Sequence, residues 1–400
     1  MAKSLQLYLD GQRYDQWTSG EVTRDLKDFS GSFSFTFRDG QASSAALAFA
    51  SVPILKRLKS QMKAVIKIGN RTVLKGHVEE VDKDLSEGQA TVTISGRDKT
   101  GDLIDSAALP DGQQAELKKV KLEAAAKKIA APFGLTVKAD VDTGDVFDRY
   151  AIDLGETAFS AIEKGTRSRG VLVLSDGIGG IVITRAGTTR APADLEQPGN
   201  VLRSSGKEST TRRYSKTTVR GQSERAAKAR GAATLDATAE PLDVGSRTES
   251  TSSSATDNER KGTVATGMAT DSEIERYRPA VYLARSKADK SSAQSEADWR
   301  CRTAKGEGEE LTHTVKGHTV NGSLWTVNQL VHVSDAFLDV ERDQLISRTR
   351  YAEDQSGATT DITSCRPEAF DPKAKGSSGN QRSRKSTASS GALDSKAEPL

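Results

Sequence analysis

Apolar and polar residues alternate with a period of two through the first hundred positions. Leu5, Leu7 and Leu9 alternate with Gln6 and Tyr8, and Asp10-Gly11 closes the run with a turn signal. Phe33, Phe35 and Phe37 alternate with Ser34 and Thr36, so one face is aromatic and the other polar. Val65-Ile66-Lys67-Ile68 and Thr72-Val73-Leu74 flank Gly69-Asn70, which predicts a compact hairpin continued by Val78 and Val81. Thr91-Val92-Thr93-Ile94-Ser95-Gly96 is the last clean strand. Short strands separated by turns predict an antiparallel barrel or sandwich. Between Phe37 and Ala64 an Ala-rich start reads as a loop or a short helix.

The period then changes. Residues 115–131 are dominated by alanine, lysine, leucine and glutamate, and Leu122, Ala125, Ala126 and Ile129 fall on one helical face. Pro132 and Gly134 end that helix, and a strand, Leu135-Thr136-Val137, follows. A second helix is predicted from about Thr157 to Arg167, with Phe159 and Ile162 inward. Val171 to Leu174 and Ile181 to Ile183, joined through Asp176-Gly177-Ile178-Gly179-Gly180, read as a β-hairpin.

From Gly199 the pattern returns to β, with a strand at Tyr214 to Gly221. Gln222 to Asp271 is rich in Ser, Thr, Ala and Gly and reads as a long loop or insertion, because that composition lacks core-forming residues. Ser286 to about Lys305 reads as a helix with a small-residue face of Ala288, Ala293, Ala297 and Cys301. His313 to His318, Leu330 to Val333 and Leu345 to Tyr351 read as strands, with turns at Asn321-Gly322 and Ser356-Gly357. The expected fold is α+β but mainly β. Two β regions, 1–105 and 199–372, flank an α+β module at 106–198, and the Ser/Gly/Lys/Arg-rich segment 373–400 reads as a disordered tail.

Composition narrows the function classes. The chain has 400 residues, enough for two or three domains, yet only 35% hydrophobic and 5% aromatic residues, low for one large core. Net charge is +3 with the two signs interspersed, which does not point to a nucleic-acid surface. The N-terminal residues lack the apolar run of a signal peptide, and no window reaches the roughly 18 apolar residues of a membrane helix. No membrane insertion is expected, and synthesis is expected in the cytoplasm. Cys301 and Cys365 form no CxxC pair and read as reduced thiols, with a disulfide between them left open.

The search for chemistry returns little. His313 and His318 are five apart on strand-like sequence, so they would face opposite ways, and no HExxH or CxxC accompanies them. No GxSxG elbow is present, and Gly177, Gly179 and Gly180 lie in a hairpin rather than opening a helix. Asp102 and Asp105 are the best candidates for a glycosidase carboxylate pair, but their charge-dense context suits a salt-bridged corner or subunit contact better. Lys373, Lys375, Arg382, Arg384, Lys385 and Lys396 are basic without interleaved aromatics, so no specific nucleic-acid partner is expected. No catalytic residue, cofactor or metal ligand is assigned.

Four segments carry a resemblance. They are Ile94-Ser95-Gly96-Arg97-Asp98-Lys99-Thr100-Gly101-Asp102-Leu103-Ile104-Asp105; Leu122-Glu123 with Ala131-Pro132-Phe133-Gly134-Leu135-Thr136-Val137; Glu156-Thr157 through Arg167-Ser168-Arg169-Gly170-Val171-Leu172; and Lys261-Gly262-Thr263 with Ala269-Thr270-Asp271-Ser272 and Arg276-Tyr277-Arg278-Pro279. In that order, over about 185 residues, they resemble the tail-hub protein of Mu-like contractile phages, within the late control D family. The resemblance implies two related antiparallel β-barrel domains per subunit and a homotrimeric ring with pseudo-sixfold symmetry. Such a ring joins a hexameric tail tube to a trimeric central spike and meets other baseplate proteins, and its place is the virion. The stretch 222–260 is longer than the family pattern, and Val264 to Met268 looks like a local addition. The family supplies no catalytic residues. Arg97, Asp98, Asp102, Arg276, Tyr277 and Arg278 are the candidate interface residues. The rival readings are the hub of a pyocin-like or type VI secretion particle, and a hub-associated peptidoglycan hydrolase.

Overall fold

The computed structural model describes residues 3–39, 57–86, 89–109, 115–187, 189–223, 263–284 and 290–371. The Ala-rich stretch after Phe37, most of the polar stretch 222–260 and the segment 373–400 lie outside the described residues.

The first β region contains β1 (Leu5–Leu9), β2 (Gln12–Tyr14), β3 (Ser19–Asp25), β4 (Ser32–Asp39), β5 (Lys63–Ile68), β6 (Arg71–Ser86) and β7 (Gln89–Asp98), followed by the short helix α1 (Gly101–Asp105). The alternating positions do what their pattern requires: Leu5, Leu7, Leu9, Phe35, Ile66 and Ile94 are buried in one cluster with Trp17 and Leu74.

The middle module contains β8 (Glu116–Val120), α2 (Leu122–Ala130), β9 (Thr136–Ala139), β10 (Phe147–Ala151), α3 (Ala158–Arg169), β11 (Leu172–Ser175) and β12 (Gly180–Thr184). Helix α3 is bounded as its sequence signals. Thr157 Oγ1 accepts from Ser160 N, and Gly170 takes the left-handed conformation at the C-terminal end. The helix predicted over 115–131 is shorter. Glu116–Val120 is instead a strand antiparallel to β10, with Leu117 and Val120 buried and Lys119 at φ 48°. Good helix formers yield there because the core takes both apolar side chains from an extended backbone.

The last region contains β13 (Thr189–Arg190), β14 (Leu195–Gln197), β15 (Val201–Glu208), β16 (Lys216–Ser223), β17 (Thr263–Thr270), β18 (Pro279–Leu283), α4 (Lys290–Glu307), β19 (Glu309–Lys316), β20 (Thr319–Val320), β21 (Ser323–Leu324), β22 (Gln329–Asp335), β23 (Val340–Asp354) and β24 (Gly357–Cys365). The end of the polar stretch is not a loop. Thr263–Thr270 pairs antiparallel with β16, and β18 pairs parallel on its other side. Small residues make that possible: Ala265 and Ala269 turn inward, and α4 seats Ala293 and Ala297 against them without exposure.

The two β regions are not separate sheets. The main sheet runs β15-β19-β24-β23-β3-β4-β7-β6-β5-β1-β2, so β23 and β3 join the chain's late and early strands. This path is open, and no barrel closes among the described residues. Its register sets Arg348 opposite Asp25 and Glu353 opposite Gly20. Arg348 pairs with Asp25 at 2.7 Å, and Arg350 bridges Glu21 at 2.5 Å and Asp361 at 2.9 Å. Glu353 accepts from Leu5 N at 2.7 Å, Ser4 N at 3.1 Å and Ser4 Oγ at 3.0 Å. Tyr351 crosses the seam, packing in the first region's core while its hydroxyl donates to the Trp325 carbonyl.

Candidate interface surfaces and the networks beneath them

The corner after β7 holds three of the sequence-predicted residues in three different settings. Asp98 is buried, and its carboxylate accepts from Ser30 Oγ and Gly31 N at 2.9 Å each, Thr100 N at 2.8 Å, Thr100 Oγ1 at 2.5 Å and Ser175 Oγ at 2.8 Å. Those donors come from the first β region, the α1 corner and the β11–β12 hairpin. Arg24 also donates to the Ser175 carbonyl, and Lys75 N to the Gly177 carbonyl at 2.7 Å. Gly177, at φ +80°, lies against the Val73 carbonyl, where a β-carbon has no room. Arg97 lies nearer the surface, bridging Glu79 at 2.9 Å and Asp105. The hydrogen bond from Arg97 pulls the Asp105 carboxyl below its ordinary pKa, the reverse of what a glycosidase acid needs. Asp102 is exposed on α1.

The other three candidates share a second corner. Arg213 is 4% exposed and bidentate on Asp271 at 2.9 and 3.0 Å, with Glu273 at 2.5 Å. Lys305 of α4 also pairs with Glu273, and hydrogen bonds from Lys305 and then Arg213 hold the Glu273 carboxyl down at about 2. Arg278 donates to the carbonyls of Thr210 at 3.0 Å and Thr211 at 2.9 Å, and Arg276 reaches Thr210 Oγ1 at 3.3 Å. Between these two anchored arginines Tyr277 is 89% exposed. The corner therefore holds one aromatic ring in solvent on a braced loop.

Beside it lies a surface that sequence patterning missed. The outer face of β16–β18 exposes Met268, Val281 and Leu283, and Thr218 sits in register between Met268 and Val281. The signal was the alternation in Pro279-Ala280-Val281-Tyr282-Leu283, five residues too short to stand out. An apolar sheet face in solvent is a candidate interaction surface.

Two histidines lie inside. His313 Nε2 is 3.1 Å from Asp335 Oδ2, and both side chains are fully buried. The carboxylate accepts, so Nε2 carries the proton and Nδ1 is left without a partner among the described residues. His318 lies 3.8 Å from Glu353 and packs edge-on against Tyr351 at the seam. Both point inward because His318 stands beyond the end of β19, after Gly317 at φ 76°, so strand alternation no longer governs it. Among the described residues no group of three or more His, Cys, Asp or Glu side chains is placed to hold a metal ion. Cys301 and Cys365 are free thiols, and burial pushes Cys365 up to about 12.

Burial holds both imidazoles below the ordinary 6.5. The unfolded chain therefore binds more protons than the folded one below that value, and stability falls as pH falls through it. His332, half-buried and raised by hydrogen bonds to Glu341 and Asp343, works weakly the other way. The melting temperature is expected to drop between pH of about 7 and about 5. His318→Gln is expected to flatten that slope in a scanning-fluorimetry series. An unchanged slope in both His318→Gln and His313→Gln would show that the two side chains do not control it.

Over its whole length the chain is 30% identical to the baseplate hub protein gp44 of Escherichia phage Mu, in a 406-residue alignment spanning 100% of this chain and 96% of that one. The chain belongs to the gp44 baseplate hub family. Three family descriptions match along the hub in order: "Mu phage baseplate assembly protein GpP-like, N-terminal" over 4–98, "Baseplate hub protein gp44-like, second domain" over 100–185, and "Mu phage baseplate assembly protein GpP, fourth domain" over 289–373. Among solved structures the 43 kDa tail protein of prophage MuSo2 from Shewanella oneidensis superposes with a TM-score of 0.73 at 27% identity, covering 92% of this chain and 99% of that one. The tail protein from Neisseria meningitidis MC58 shares the fold at 20% identity, with a TM-score of 0.68 over 93% and 98% of the two chains. The hub is thus a structural component of a phage tail baseplate, and its place is the virion tail.

Proposed function

We propose that this baseplate hub works as a symmetry adaptor: a homotrimeric ring that joins a hexameric tail tube to a trimeric central spike, each subunit presenting two related β units. The observation that carries this reading is the β3–β23 seam, which fuses the two β regions edge to edge into one sheet. Three such subunits supply six β units. We read 1–105 and 199–372 as those units, with 106–198 packed beside them, and the barrel shape of each unit is part of the proposal. The main path ends in β2 and β15, and unpaired edges need covering, which neighbouring subunits would provide.

In this reading Tyr277, with Arg276 and Arg278, contacts a partner together with the face of Met268, Val281 and Leu283. Arg97 and Asp102 form a second contact at the α1 corner, and Asp98 holds that corner from beneath. The tube protein, the spike protein and other baseplate proteins are the partners. The protein is made in the host cytoplasm and enters the virion by assembly.

The test is the solution mass of the purified chain. A species near three times 42.8 kDa is the expected result, and a strict monomer at high concentration, alone and with tube or spike protein, would overturn the trimer. Tyr277→Ala is expected to weaken the assembly by about tenfold, as truncation of an exposed aromatic anchor does. Unchanged assembly would remove Tyr277 from the interface.

A further inference from the structure

The hairpin tip between β22 and β23 is braced from inside and bare outside. Asp335, buried against His313, accepts from Phe337 N and Leu338 N at 2.9 Å each. Leu338 packs into the third core cluster, whereas Phe337 is 80% exposed. A buried carboxylate hydrogen-bonded to His313 thus fixes the backbone that holds an aromatic ring in solvent. Asp339, two residues on, is exposed and makes no ion pair or hydrogen bond among the described residues. The tip is a rigid apolar knob with a free negative charge.

A complementary hollow lies elsewhere on the molecule. Val171 and Leu172 after α3, Trp299 of α4 and Phe370 line a cleft of about 280 Å³, with Arg167 and Arg185 at its rim. Its walls are fixed: Trp299 Nε1 donates to the Asp371 carbonyl at 2.9 Å, and Arg302 pairs with Asp371 at 3.3 Å. Arg167 is matched by Glu163, but the exposed Arg185 guanidinium has no ion-pair partner among the described residues. The cleft has room for a phenylalanine ring, and its spare charge is positive.

We infer that the Phe337 tip of one copy docks in the Arg185-rimmed cleft of a second copy, with Asp339 facing Arg185. The occupant follows from charge and shape. Among the other strongly exposed apolar side chains, Leu283 lies on the β16–β18 sheet face rather than at a tip, and Leu154 is flanked by Asp153 and Glu156, with which Lys164 already pairs. Tyr277 is flanked by arginines, which Arg185 repels. Phe337 brings the larger apolar side chain and the unmatched carboxylate. Because the knob and the cleft are different surfaces, the contact is head-to-tail, the kind from which rings are built when the rotation between copies closes. The inference rests on the self-assembling hub reading and assigns one contact within it.

The test uses the full chain and an internal reporter. Of its three tryptophans, Trp17 and Trp325 are 2% exposed, so acrylamide quenching reads Trp299 in the cleft. On assembly the wild-type signal is expected to become protected. Phe337→Ala is expected to leave Trp299 as quenchable as in the dilute monomer and to weaken self-association by about tenfold. Asp339→Arg is expected to weaken it too, and Arg185→Asp in the same chain to restore it. Assembly with unchanged Trp299 quenching, or Asp339→Arg without effect, overturns this contact and leaves the trimer standing. A wild-type chain that stays monomeric overturns both.

Discussion

Asp98→Asn is expected to lower the stability of the first β region and the middle module by about 3–5 kcal/mol. The carboxylate is a pure acceptor, and all five hydrogen bonds it receives come from groups that can only donate there or are oriented to do so. An amide nitrogen in place of one oxygen turns part of that shell into donors facing a donor. The backbone N–H groups of Gly31 and Thr100 cannot rotate away, and each unsatisfied buried group costs about 1–3 kcal/mol. Ser175 loses its hold on the β11–β12 hairpin, so the effect extends past the first β region. A fall in melting temperature on the order of 10 °C is expected for a unit of this size. The exposed neighbour Asp102 is the control, and Asp102→Asn is expected to change stability by less than about 0.5 kcal/mol. Urea denaturation of both variants decides the matter. A loss below about 1 kcal/mol for Asp98→Asn would mean that water substitutes for the carboxylate.

How far the sequence foretells this structure depends on the range of the interaction. The alternations at Leu5–Leu9 and Phe33–Phe37, the hairpin at Gly69-Asn70 and the helix beginning near Thr157 are local, and all four are visible in a few residues. The strand Glu116–Val120 is not, because its partner β10 comes some thirty residues later and overrides local helix propensity. The β3–β23 seam joins positions more than three hundred residues apart, and pattern fixes which face of a strand is buried without naming its neighbour. The charge-dense corner was legible as salt-bridged for Arg97 and Asp105, but Asp98's burial depends on Ser175, which adjoins it only in the fold. Phe337 gave no sequence signal, since a single aromatic in a turn reads the same whether covered or bare. Its exposure becomes informative only beside the Asp335–His313 pair that holds it out.

Gly267→Val is expected to be the most disruptive single change in the last region. Gly267 sits on β17 opposite Val219, and a β-carbon there would overlap the backbone carbonyl of Ala293 in α4. Backbone cannot yield as a side-chain end can, so the helix must lift from the sheet. Lifting it opens the cluster of Val219, Ala265, Ala269, Ala293 and Ala297. It also pulls Lys305 from Glu273, and with it the brace under the Tyr277 corner, and displaces Trp299 from Asp371. Overpacking of this kind costs about 1–3 kcal/mol for small insertions and more where backbone must move, so Gly267→Ala is expected near the top of that range and Gly267→Val beyond it. The adjacent residue gives the contrast. Met268 points to the opposite, exposed face of the same strand, so Met268→Ser is expected to leave melting unchanged while weakening assembly. If the proposed role of the β16–β18 face is right, the two neighbours separate: Gly267→Ala lowers the melting temperature, and Met268→Ser lowers only the assembled fraction measured by mass. Equal loss of both properties in Met268→Ser would show that this face supports the fold rather than a partner.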